Sequence, residues 1–388
     1  MRVAIPRERR AHERRVAATP ETVKKLIALG AEVAVEAGAG LNSRITDDAY
    51  EAAGAQLVSD LGELLGSADV VLKVQRPLLG KDGGKKSDEP DELSLMKKGA
   101  LLIASLSPYA DPEAIKRYAE AGITALAMEF VPRITRAQSM DVLSSQSNLA
   151  GYRAVLEAVY VYDRVMPMMM TAAGTVAPAR VMVLGAGVAG LQAIATAKRL
   201  GAIVSATDVR PVAKEQVESL GGKFVMVEDE EGVEAETAGG YAKEMSEDYQ
   251  KRQAQLVADT LKKQDIAICT ALIPGRKAPT LINDDMVHSM RPGSVIVDLA
   301  VEQGGNCTLS KLGKVVEVNG VSIIGHHNIP SRLSADASQL YAKNLLNYLT
   351  PLIDTESKEL AVDWEDEIVA ATLLTRDGQV VHSAFQTP

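Results

Sequence analysis

Val181-Met182-Val183-Leu184-Gly185-Ala186-Gly187-Val188-Ala189-Gly190 joins an apolar, β-branched run to glycines spaced G-x-G-x-x-G, and Leu191 to Leu200 continues with helical spacing. Such a strand, turn and helix cradle a dinucleotide. Gly185 allows the tight turn, Gly187 lets the backbone approach a pyrophosphate, Gly190 permits close helix packing, and the helix N-terminus, opened by Val188, faces the phosphates. The next apolar run, Ile203 to Thr207, ends at Asp208, eighteen residues past Gly190, where a carboxylate can accept bonds from the adenosine ribose hydroxyls. A carboxylate there repels a 2′-phosphate and favours NAD(H) over NADP(H). Arg210 could neutralise such a phosphate, and Val209 and Arg210 could equally flank the adenine.

Outward from this motif the chain alternates short β-branched runs with helical patterns. Before it come Val3 to Ile5, Glu32 to Glu36, Val70 to Val74, Leu101 to Ile103 and Thr124 to Ala127, with Asp111 or Pro112 opening the helix between the last two. After it, strands are expected at Lys223 to Val227, Ile266 to Thr270 and Val295 to Leu299. This rhythm predicts an α/β fold of two doubly wound parallel-sheet domains. The first spans 1–144 and regains 331–388 through an amphipathic helix near Ser334 to Leu349; the second spans 145–330. Ser144 to Val165 reads as a helix between them. The tail from Glu367 to His382 reads as a hairpin across Asp377-Gly378.

At 388 residues, with 46% hydrophobic and 24% charged residues, the chain has the composition of a globular protein with two cores. A net charge of -9 argues against nucleic-acid binding, which draws its affinity from basic surface. Cys269 and Cys307 are the only cysteines, and the start Met1-Arg2-Val3-Ala4-Ile5 reads as a strand rather than a signal peptide, so a cytoplasmic setting is expected. No stretch has the roughly 20 apolar residues of a spanning helix.

Three further features leave their roles open. Glu228 to Glu236 holds six acidic residues in nine and precedes Thr237-Ala238-Gly239-Gly240-Tyr241, an exposed loop that either has no role or closes on a ligand. Ala271 to Gly275 and Asp298 to Asn306 follow strands where ligands bind in open sheets; Leu272 is a candidate cofactor contact, and Asp298 either faces the ligand or fixes its own loop. His326 and His327 lack a third metal ligand and read as structural.

The segment Arg133 to Asn148, R-I-T-R-A-Q-S-M-D-V-L-S-S-Q-S-N, is polar and rich in side chains able to hold a carboxamide. Placed ahead of G-A-G-V-A-G, D-V-R and T-A-G-G-Y-A-K-E-M, it gives the whole chain a close resemblance to the NAD(H)-binding component of proton-translocating nicotinamide nucleotide transhydrogenases, as found in the soluble alpha-1 subunits of split enzymes. The resemblance implies that Arg133 and Gln138 hold the nicotinamide and its phosphates or ribose, Asp141 pairs with the ring region and Ser144 bonds the carboxamide. Without it, Gln138 and Ser144 would read as capping residues. It places Tyr241, beside Gly240, on a loop closing over NAD(H). It further implies NADP(H) on a partner subunit, a membrane-spanning subunit that translocates protons, a homodimer, and attachment to the cytoplasmic membrane through partners.

The chain is similar to alanine dehydrogenases too. Those carry K-V-K-E-P and a catalytic histidine, whereas this chain reads Lys73-Val74-Gln75-Arg76-Pro77 and has Ser107 at the histidine's place. Oxidising an amine requires a general base, but hydride exchange between two nicotinamides moves no proton from nitrogen or oxygen and asks only for orientation and exclusion of water. Two other readings stand beside it: an amino-acid dehydrogenase using Lys73, Arg15 and Ser107, and a non-catalytic NAD(H) sensor.

Overall fold

The computed structural model describes residues 1–82, 85–86, 89–227, 246–273 and 275–386. The chain forms two compact units, Met1–Gln146 with Ser331–Pro388, and Ser147–Pro330.

In the first unit, parallel strands Arg2–Ile5, Glu32–Glu36, Gln56–Val58, Val70–Gln75, Leu101–Ser105 and Thr124–Ala127 take the spatial order 3-2-1-4-5-6. Leu373–Arg376 adds antiparallel beside Thr124–Ala127 and pairs with Gln379–Val380 at the edge, completing eight strands. Successive residues enter opposite cores: Val3, Ile5, Val70 and Leu72 pack on one face, Ala4 and Val71 on the other. A sheet buried on both faces needs continuous apolar strands, which is what these runs supply. The returning helix Ser334–Leu349 sends Tyr341, Leu345 and Tyr348 into the core that holds Val3 and Ile5.

The second unit repeats the order. Arg180–Leu184 lies between Ile203–Thr207 and Ile266–Cys269, Lys223–Phe224 forms one edge, and Val295–Asp298, Val321–Gly325 and antiparallel Lys314–Val318 complete the other side. Val181 and Val183 face one core and Met182 and Leu184 the other. The doubly wound parallel reading therefore holds for both sheets, with antiparallel edge strands added.

Several local readings are corrected. The expected strand Lys223 to Val227 is only Lys223–Phe224. The helix expected over Ser144 to Val165 runs Val142–Val161, and between Pro167 and Pro178 the chain makes a two-stranded hairpin, Met169–Thr171 with Gly174–Val176, turned at Ala172 and Ala173. The tail is not a hairpin from Glu367: Asp366 accepts from the Ile368 and Val369 N–H groups and caps a helix over Glu367–Thr372. Only Leu373–Arg376 and Gln379–Val380 pair, across Asp377 and Gly378, whose φ of 52° and 77° suit a tight hairpin turn. Among the described residues no helix is long and apolar enough to cross a membrane.

Candidate functional site

In the second unit the glycine loop lies where the first and fourth strands of the sheet diverge. Gly185 has φ +101°, and a Cβ there would sit 2.6 Å from Thr270 Oγ1; one at Gly190 would sit 1.8 Å from the Gly185 carbonyl oxygen. The protein's own packing thus requires glycine at both. At Gly187, the N-cap of helix Val188–Arg199, a Cβ would meet only Arg210 Nη2, at 3.9 Å. Nothing in the fold demands glycine there, and the missing side chain leaves the backbone open to close approach. Val188, first in the helix, is exposed.

Asp208 is tied into the same loop. Its Oδ2 accepts from the Ala186 N–H at 2.7 Å and Arg210 Nη2 at 2.9 Å, and its Oδ1 from the Arg210 N–H and Nε, each at 2.9 Å. Burial would raise this carboxyl, but the Arg210 hydrogen bonds and charge outweigh it and hold it below the usual carboxylate range. Arg210 therefore offsets the Asp208 charge. Val209 is half-buried between them.

The two neighbouring loops are held by buried polar side chains. Asp298 accepts from the N–H groups of Ala300, Asn306 and Cys307 and from Ser310 Oγ, so its role is to fix its own loop. Asn306, fully buried, accepts from the Ala271 N–H and donates to the Ala271 and Pro279 carbonyls, presenting Leu272 at the surface. His326 lies 3.5 Å from Glu157 and His327 3.8 Å from Glu302. Among the described residues no cluster suits a metal. Gly240, Tyr241 and the acidic run lie outside the described residues.

In the first unit the polar segment forms a 3-10 helix, Thr135–Met140, and the start of helix Val142–Val161. Asp141 caps that helix: Oδ1 accepts from the Ser144 N–H at 2.9 Å and Oδ2 from Ser144 Oγ at 2.5 Å. The Ser144 proton is spent on Asp141, so toward a ligand its oxygen is an acceptor, the polarity that an amide NH₂ needs. Gln138 and Arg133 are exposed. Arg136 and Gln146, which lie within the Arg133 to Asn148 segment, also bear on its geometry, as does Asn344, which no motif in the sequence marks. Arg136 pairs with Asp366 at 2.6 Å and Glu367 at 3.2 Å, and Gln146 accepts from Arg15 Nη1 at 2.8 Å.

Family models match both halves of the chain, the alanine dehydrogenase/PNT N-terminal domain over residues 4–150 and the C-terminal domain over 154–383. The chain belongs to the alanine dehydrogenase/PNT family. The first portion of an NAD(P) transhydrogenase subunit alpha, from Rhodospirillum rubrum, is 60% identical over 385 residues, 99% of either chain. The crystal structure of transhydrogenase from Sinorhizobium meliloti, 55% identical, matches with a TM-score of 0.87 over 98% of this chain and 100% of that one. An alanine dehydrogenase from Methanococcus maripaludis is 30% identical over 392 residues, 99% of this chain and 95% of its own.

Within this alanine dehydrogenase/PNT chain, the first unit's strand divergence is filled by charge. Lys73, 1% exposed, lies 3.1 Å from Glu92 and 3.4 Å from Glu8. Burial, with Glu92 and Glu13 nearby, pushes the Glu8 carboxyl up to about 7 against the pull of Lys73. Burial likewise acts to raise Glu13, but Arg15, at 2.6 Å, and Gln75 hold it down at about 2. Ser107, with φ +50°, donates its N–H to Glu129 at 2.6 Å.

Proposed function

We propose that this chain is the NAD(H)-binding alpha-1 subunit of a Re/Si-specific, proton-translocating NAD(P) transhydrogenase. The observation that carries this reading is the 60% identity, end to end, with the Rhodospirillum rubrum transhydrogenase alpha chain. Gly185, Gly187, Val188 and Gly190 hold the pyrophosphate, Asp208, Val209 and Arg210 the adenosine, and Leu272 lies against the cofactor. Arg133, Gln138, Asp141 and Ser144 serve the nicotinamide end, with Gly240 and Tyr241 on a closing loop. Ser144, its proton held by Asp141, accepts from the carboxamide NH₂, and Gln138, exposed, adds its own amide.

Bound NADH supplies a hydride to NADP⁺ on a separate NADP(H)-binding subunit, and the products are NAD⁺ and NADPH. No nitrogen or oxygen proton is exchanged, so this chain has only to orient the ring and keep water away. A membrane-spanning subunit carries the proton, coupled through reciprocal linkage between nucleotide sites, and holds this chain at the cytoplasmic face. A homodimer is favoured by the hairpin Met169–Thr171 with Gly174–Val176: all six residues are exposed, with Met170 at 76%, and an isolated two-stranded hairpin is marginal in water.

The test is hydride transfer from NADH to NADP⁺ by the chain alone and with an NADP-binding transhydrogenase subunit added, beside a pyruvate and ammonium control. Transfer only with the partner supports the reading. Turnover of pyruvate by the chain alone would replace it with an alanine-type dehydrogenase, and binding without either activity would leave a sensor.

A further inference from the structure

The side-chain amide of Asn344 touches two points of one short segment. Asn344 is on the returning helix Ser334–Leu349 and 7% exposed; its Nδ2 donates to the Ser139 carbonyl at 2.8 Å and its Oδ1 accepts from Ser145 Oγ at 2.8 Å. Ser139 directly follows Gln138, and Ser145 directly follows Ser144. One amide therefore sets the separation between the turn that carries Gln138 and the helix start that carries Asp141 and Ser144. Asn347 Nδ2 adds a second bond to the Ser139 carbonyl at 3.1 Å, and Gln146 Nε2 is anchored on the Ala337 carbonyl of the same helix at 3.1 Å.

The frame behind these bonds is stiff, because Tyr341, Leu345 and Tyr348 on the helix are buried in the core. Among such neighbours an apolar residue would bury at no polar cost, whereas an amide is tolerated only when both its ends are bonded. Packing alone does not call for Asn344. Its two bonds do, and both go to the segment that resembles a nicotinamide site.

We infer that Asn344 is a positioning residue for the nicotinamide: it holds Gln138 and Ser144 at the spacing at which both engage a single carboxamide, an inference that rests on the placement proposed above. Asn344 acts through the Ser139 backbone and the Ser145 hydroxyl without touching the nucleotide. Its influence is confined to the nicotinamide end, since the pyrophosphate and adenosine residues belong to the other unit.

The experiment compares the full chain with Asn344→Ala and Ser145→Ala. Equilibrium dialysis gives Kd for NADH and for ADP-ribose, which lacks nicotinamide, and thermal unfolding monitors the fold. The ratio of NADH to ADP-ribose affinity is expected to fall about tenfold in Asn344→Ala and about threefold in Ser145→Ala, with ADP-ribose binding unchanged. Ser145→Ala carries the test if Asn344→Ala does not fold. An unchanged ratio in the folded variants, or equal weakening of both ligands, would overturn the inference. A wild-type ratio near one would overturn the nicotinamide placement itself, and the inference with it.

Discussion

Replacing Asp141 by asparagine separates two jobs that its carboxylate does at once. Oδ1 caps the helix through the Ser144 N–H, and Oδ2 takes the Ser144 hydroxyl proton. Asparagine caps about as well as aspartate, so Asp141→Asn gives up only the interaction of the charge with the helix dipole, about 0.3–1 kcal/mol. Its Nδ2, however, donates to Ser144 Oγ where the carboxylate accepted. One acceptor lone pair of the hydroxyl is consumed and its proton is released toward the ligand side. A hydrogen bond to the carboxamide NH₂ is weakened or lost, about 0.5–1.5 kcal/mol, or roughly two- to twelve-fold in affinity for NADH, with ADP binding untouched. Asp141→Ala should match it in binding but also lose the cap, about 1 kcal/mol or roughly 2–4 °C in midpoint for a unit of this size. Dialysis with NADH and ADP, and thermal unfolding of both variants, measure the two effects independently. If Asp141→Asn bound NADH as the wild type does, or weakened NADH and ADP alike, the polarity assigned to Ser144 would be wrong.

The glycine loop yields a contrasting pair. Gly190→Ala places a Cβ 1.8 Å from the Gly185 oxygen and should cost about 1–3 kcal/mol of stability, whereas Gly187→Ala meets only Arg210 and should keep its midpoint while losing NADH affinity, both measurable by unfolding and dialysis. Arg210→Ala exposes the Asp208 charge and should raise the preference for NADH over NADPH in competition binding; an unchanged ratio would remove Arg210 from selectivity. Glu8, titrating near 7 rather than 4.5, binds its proton more tightly folded than unfolded, so its contribution is full below pH 4.5 and fades as pH rises to 7, by at most about 3 kcal/mol. Glu8→Gln should flatten that stretch of the curve of unfolding free energy against pH, and an unaltered slope would assign it to another group.

What sequence reveals here is governed by range. Gly185 and Gly190 are legible because they belong to a strand, turn and helix whose spacing is local in the sequence, although Thr270, which crowds Gly185, stands 85 residues on at the end of the fourth strand. Asn344 is not, because its partners stand about 200 residues earlier and only the folded sheet brings the returning helix against them. Asp298 reads equally well as a ligand contact or a loop anchor, since a carboxylate after a strand serves either; four bonds to its own loop resolve it. In Glu367–Thr372 the apolar residues fit a strand or one short helix, and the deciding bond is the Asp366 cap. The hairpin at Met169 is hidden because its residues pack on no core, so no burial pattern marks them.

Because the parallel strands of both sheets run 3-2-1-4-5-6, each has a strand divergence where open α/β folds gather ligands. The second unit lines its divergence with glycine and leaves backbone accessible. The first fills it with Lys73, Glu8, Glu92, Glu13 and Arg15, buried and mutually paired. A lysine that anchors a keto acid or shuttles a proton must aim its charge at substrate, whereas Lys73 spends its charge on two carboxylates. Stranding a buried charge by removing one partner costs about 3–5 kcal/mol, so the members of the cluster hold one another in place. Hydride exchange between nicotinamides requires no more of it. Glu8→Gln tests the point directly, because it leaves Lys73 with Glu92 as its one remaining close carboxylate. If that variant gained pyruvate and ammonium turnover that the wild type lacks, the cluster would be a masked dehydrogenase site. If it gained none while its NADH binding stayed intact, the cluster would be structural.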